Sequence, residues 1–211
     1  MLLSATQSTS DFKPTPPGQY MARCYRVIDL GTQETVWKGN TKHQRKVLIS
    51  WEIHGEDDNG NPLVTEDGKP LMSSKRFTAS IVEKAALRQF LESWRGKAFT
   101  GDELNRFDLK NMLGAWGMIN ITSEEREGKT YSNVDTIMPI PAALRKSLPN
   151  PVNPAAMFDM SRYTPSMDEL FESFGKGLKE TIMKSPEWQS LQNQQNSMML
   201  RDSQDDDIPF N

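Results

Sequence analysis

From Lys46 to Ile53 the chain reads Lys-Val-Leu-Ile-Ser-Trp-Glu-Ile, and its side chains alternate. Val47, Ile49, Trp51 and Ile53 point one way; Lys46, Ser50 and Glu52 point the other. A period of two belongs to a strand with one face on a core and one toward water. Such a strand is not stable alone, so the flanking sequence has to supply its partners.

It does so on both sides. After Pro16-Pro17-Gly18, Tyr20, Ala22 and Cys24 alternate with Met21, Arg23 and Tyr25, the pattern of a first strand. A Gly-containing loop is expected over 31–45. Past Ile53, Asn59-Gly60, Asp67-Gly68 and Lys69-Pro70 carry turn chemistry, so 54–70 reads as a long, acidic, solvated hairpin loop. A third short strand covers 71–79.

The period then changes. Ala86, Leu87, Phe90, Leu91 and Trp94 recur at helical spacing, Gly96 stands where a C-terminal cap belongs, and Ser80 with Glu83 forms a Ser-x-x-Glu capping box. A second short helix is expected from Gly101 to Leu113. Two further strands, 115–123 and 129–140, are joined by a polar turn. The order strand-strand-strand-helix-strand-strand predicts a mainly β protein, an OB-fold: a five-stranded Greek-key barrel with a helix between strands three and four.

The domain reading follows. Residues 1–13 are a flexible lead-in with no basic n-region, and 14–140 are the barrel. Residues 141–165 form a Pro-rich linker or strap, in a stretch with five prolines between Pro139 and Met157. Ser166 and Glu169 make a second capping box before Leu170, Phe171, Phe174, Leu178 and Ile182, which predicts an amphipathic helix over 166–184. Gly175 and Gly177 weaken it by about 1 kcal/mol each relative to Ala. Residues 185–211 read as a polar, Gln/Asn-rich flexible tail, with a short helix at its start that fades into disorder, ending on an acidic tip. An apolar content of only 36%, with 13 Pro and 13 Gly, fits a chain of which part is unpacked. No run reaches the length needed to span a bilayer. The single Cys24 excludes an internal disulfide and fits a reducing cytosol.

Charge is divided along the chain. Residues 1–150 hold 20 Lys+Arg against 18 Asp+Glu, while 151–211 hold 5 against 10. Within 13–51 the balance is 7 against 2. A locally basic front suits an anionic ligand. Catalysis is not expected. His43 and His54 stand eleven apart beside one cysteine, without zinc-type spacing. Gly128-Lys129-Thr130 lacks the Walker glycine five residues earlier, where Ser123 stands. Asp57-Asp58 and Glu124-Glu125 fall in expected loops and read as solvated, not as a metal site. No cofactor is called for.

Single strands are held by cations along a groove and aromatic faces on which bases stack. The candidate DNA-binding set is Trp37, Lys38, Lys42, His43, Arg45 and Lys46 in the first loop, Lys75, Arg76 and Phe77 in the third strand, and Tyr131 in the fifth. No acidic residue falls between Glu34 and Glu52. Trp51 and Trp94 read as core, whereas the pattern leaves Phe77, Trp116 and Tyr131 open between core and surface.

The segments "PPGQYMARCYRVIDLGTQ", "FLESWRGKAFTGDEL" and "FDLKNMLGAWGMINI" resemble a group of bacteriophage OB-fold single-stranded DNA-binding proteins. Asp205, Asp206, Asp207, Ile208, Pro209 and Phe210 are similar to the acidic tip of bacterial single-stranded DNA-binding proteins, which closes on Ile-Pro-Phe or a near variant. The departure is Asn211, which follows the Phe. The resemblance implies a non-enzymatic protein of the bacterial host cytoplasm. It would coat exposed strands in phage replication, recombination and repair and recruit partner proteins through 205–210, with homo-oligomers possible. The alternative is an interaction module or decoy that engages host enzymes without binding DNA.

Overall fold

The computed structural model describes residues 13–205. Its framework is one mainly antiparallel sheet. β1 (Gly18–Trp37) pairs with β2 (Asn40–His54), and β2 with β3 (Met72–Thr78). The start of β1 pairs on its other edge with β4 (Trp116–Arg126), which pairs with β5 (Lys129–Met138). The order is therefore β3-β2-β1-β4-β5.

No backbone ladder joins β3 to β5 among the described residues, so the sheet is open there. Side chains bridge the gap instead. Ser73 donates to the Thr15 hydroxyl at 3.0 Å, and Ser132 donates to the Thr15 carbonyl at 2.6 Å. Two residues further along both strands, the Lys75 ammonium donates to the carbonyls of Val134 and Asp135 at 2.7 and 2.9 Å. The N-terminal segment thus fills one end of the seam and a lysine spans the other.

Between β3 and β4 lies α1 (Ala86–Arg95), which buries Leu87, Phe90, Leu91 and Trp94 on the inner face of the sheet against Trp51 and Phe77. Gly96 is its left-handed C-cap at φ 70°. The expected Ser80–Glu83 capping box does not form; the helix starts later, after Ala85, without a side-chain cap. Thr100 and Glu103 do form one, at the start of α2 (Gly101–Asn105). The 54–70 loop is less solvated than expected, because Leu63 and Leu71 anchor it in the core.

The C-terminal third packs as a second layer. The 141–165 segment is a strap: β6 (Ala156–Phe158) runs parallel to Arg26–Ile28 of β1. The helix expected over 166–184 is broken around Gly175 into α3 (Asp168–Glu172) and α4 (Lys176–Met183), and the Ser166 cap is absent. The short helix expected at the start of the tail is α5 (Pro186–Asp205), which runs for 20 residues. Ile28, Leu30 and Leu48, on the outer face of β1 and β2, meet Phe158, Phe171, Phe174, Ile182 and Trp188 in a second apolar cluster. Glu187 fastens α5 to Thr32, whose amide and hydroxyl donate to its carboxylate at 2.8 and 2.5 Å. No helix among the described residues is long and apolar enough to cross a membrane.

Candidate nucleic-acid interface

The segment expected as a loop over 31–45 is a continuous ribbon. Its register runs from Thr32↔Arg45 to Trp37↔Asn40. Lys38 and Gly39 turn it with φ of 50° and 77°, the two left-handed residues of a type I′ hairpin. A ribbon obeys alternation, and alternation divides the candidate cations. Lys42 and Lys46 project from one face of β2; His43 and Arg45 belong to the other. The ten candidates therefore do not converge on a single surface.

Several are otherwise engaged. Arg45 donates to Asp29 through Nε at 3.1 Å and through its terminal nitrogen at 2.5 Å, and that bond raises its pKa above the ordinary arginine value. His43 faces Glu34 at 3.6 Å. Lys75 is committed to the β5 carbonyls and lies over the rings of Phe77 and Phe90; burial lowers its pKa. Phe77 is 4% exposed, with its ring centroid 5.0 Å from that of Phe90. It is a core residue and offers no face to a base. The reason is parity: Lys75 and Phe77 pair with Ile49 and Val47, on the inner side of the sheet.

The outer face of β2 and β3 carries a different set. Lys46 stands opposite Thr78, Leu48 opposite Arg76, and Ser50 opposite Ser74. The Lys46 ammonium donates to Thr78 Oγ1 at 2.8 Å and Gln44 Oε1 at 2.9 Å. Burial and the adjacent Arg76 both push its pKa below the usual lysine value. Arg76 is exposed, and its guanidinium makes no ion pair among the described residues. Two cations are thus held side by side without a carboxylate between them. Lys42 continues the strip toward the ribbon tip, where Lys38 sits; the side chain of Trp37 lies outside what is described. Tyr131, 47% exposed on the β4–β5 hairpin, has an open face, as does the His43 imidazole beside Glu34.

Arg26 extends the strip across β1 and was not singled out from the sequence. It stands opposite Ser50, with its guanidinium over the rings of Tyr25 (5.1 Å) and Phe174 (5.8 Å). Its only sequence signal is parity with Ser50, and the bulge at Tyr25 shifts that register. Phe174 belongs to the second cluster, so the C-terminal layer forms a wall along this edge of the strip.

The strap is pinned by a buried carboxylate. Glu52, 0% exposed, accepts from the Asn153 amide at 2.7 Å and side chain at 2.9 Å, from the Val152 amide at 3.3 Å, and from Arg23 at 3.3 Å. The acidic pairs have local uses: Asp57 caps its own turn by accepting from Asn59 and Asn61, and Glu124 pairs with Arg126. Asp205 is the last residue of α5, and Asp206, Asp207, Ile208, Pro209 and Phe210 lie outside the described residues. No protein-family model matches the chain, and a search of curated proteins gives no match either.

Proposed function

We propose that the chain is a non-enzymatic single-stranded DNA-binding protein. It grips phosphates along the outer face of β2 and β3 and recruits partners through residues 205–210. The body reads as a partly open OB-fold. The sheet order, the helix between β3 and β4, and the parallel seam of Thr15 and Lys75 bridges between β3 and β5 all suit that barrel, which binds oligonucleotides on strands two and three. The observation that carries the reading is the Lys46–Arg76 pair. Like charges placed together cost the free protein stability, and a phosphate backbone relieves that cost on binding. Contacts to phosphate carry no sequence information, so little base preference is expected.

The test is a titration with short single- and double-stranded oligonucleotides at two salt concentrations. Single strands should bind more tightly, and binding should weaken steeply with salt as counterions are released. Absence of binding to oligo-dT at low salt removes the reading and leaves the interaction module.

A further inference from the structure

On the α1 side of the molecule, away from the Lys46–Arg76 strip, a cavity of about 790 Å³ opens between α1, α2, the start of β4 and the 139–148 segment. Its walls are mostly apolar and include the rings of Trp94, Phe99, Phe107 and Trp116 beside Met112 and Ile140. That size lies within the range of about 300–1,000 Å³ typical of ligand sites.

The rim is charged. Arg95 is held by Glu103 at 2.5 Å and lies over the Phe99 ring at 4.0 Å. Lys97 also faces Glu103, at 3.7 Å. Among the described residues, Arg145 donates to the Ile140 carbonyl alone, at 3.3 Å. Arg106 is exposed, and its guanidinium has no ion pair among the described residues. Against these stands one further carboxylate, Asp102. The rim therefore has cations to spare around an apolar hollow, and it asks for an anionic segment with bulky apolar side chains.

The chain contains such a segment. Asp205, Asp206 and Asp207 are followed by Ile208, Pro209 and Phe210. We infer that this segment of one copy docks in the α1–α2 cavity of a second copy. The Phe210 ring enters the aromatic hollow, and the aspartates face Arg106 and Arg145. The helix that leads to it favours a second copy over the chain's own cavity. α5 is tied to Thr32 by Glu187 at its beginning and runs for 20 residues, about 30 Å at 1.5 Å per residue. Its first half packs on the second apolar cluster through Trp188 and Leu191, and two residues lie between its end and Ile208. The contact is hook into hollow, so two copies that exchange hooks close as a dimer, and one-way docking adds further copies. It shares no residue with the β2–β3 strip and stands independently of strand binding.

Two measurements on full-length protein test this. Sedimentation velocity across a concentration series should show self-association of the native chain, lost in Phe210→Ala and in Arg106→Glu. Separately, a synthetic peptide of residues 203–211 is titrated into the Phe210→Ala chain and followed by tryptophan emission, since Trp94 and Trp116 line the cavity. It should bind, and the same peptide with Phe210→Ala should bind at least about tenfold more weakly through the lost ring burial. Self-association that survives Phe210→Ala overturns the proposal. So does a peptide that fails to bind. Peptide binding with a native chain that stays monomeric at every concentration overturns the second-copy assignment, because the hook then occupies its own cavity.

Discussion

Replacing Arg76 by Ala tests the proposed phosphate contact separately from folding. Its guanidinium is exposed and without an ion pair among the described residues, and Lys46 is the neighbour whose charge it opposes. Removing it should leave folding stability within about 0.5 kcal/mol of the native chain. Binding should respond differently. Each phosphate contact on a single strand adds about 0.7 to the slope of log affinity against log salt. Arg76→Ala should flatten that slope by about 0.7, and Arg76→Ala with Lys46→Ala by about 1.4. Over a fourfold rise in salt, the advantage of the native chain over the double variant should shrink about sevenfold. Fluorescence anisotropy with labelled oligo-dT across a salt series reads the slope, and thermal melts read the stability. An unchanged slope refutes the claim that these cations meet phosphates, even if affinity falls.

Three further outcomes follow from the packing. Burial opposes the Glu52 charge, but the hydrogen bonds from Asn153 and Val152, with the His54 ring 3.3 Å away, outweigh it and hold the carboxyl below the usual glutamate range. A depressed native pKa gives stability above the unfolded-state value of about 4.3 and loses it as pH falls below that. The protection factors of the Val152 and Asn153 amides, taken relative to the intrinsic rate at each pH, should therefore fall in acid, and pH-independent protection factors count against the lock. Gly31→Ala should loosen α5, because the new Cβ sits 2.4 Å from the Ser185 Cβ at a φ of 67°. The left-handed backbone alone costs about 1–2 kcal/mol, and an unchanged melting temperature and Trp188 emission would contradict the close approach. Cys24 is 0% exposed and burial pushes its thiol up to about 12, so it should resist alkylation until the protein unfolds; rapid labelling of native protein refutes this.

Part of the candidate site was legible because strand parity is local. The alternation of Val47, Ile49, Trp51 and Ile53 needs no knowledge of a partner, and these residues are the buried face of β2. The same rule, carried back through 31–45, divides Lys42 and Lys46 from His43 and Arg45. The glycines at 31 and 39 suggested a loop and hid that division. Gly31 is a bulge that admits Ser185, and Gly39 is one half of a two-residue turn. Neither interrupts pairing. Phe77 stayed undecided because its burial depends on Phe90, thirteen residues away on α1.

Taken alone, the sequence determined the strand and helix order from β1 to β5, the apolar faces of β2 and α1, and the charge split between front and back. Each is a matter of spacing along the chain. Tertiary structure decided which cations remain unpaired, that Lys75 spans the open seam, and that the C-terminal third covers Ile28, Leu30 and Leu48. Those outcomes depend on partners far away in sequence: Asp29 for Arg45, Val134 for Lys75, Phe158 for Ile28. A side chain's charge is written in the sequence, but whether that charge is already neutralised depends on which distant groups the fold brings within a few ångströms of it.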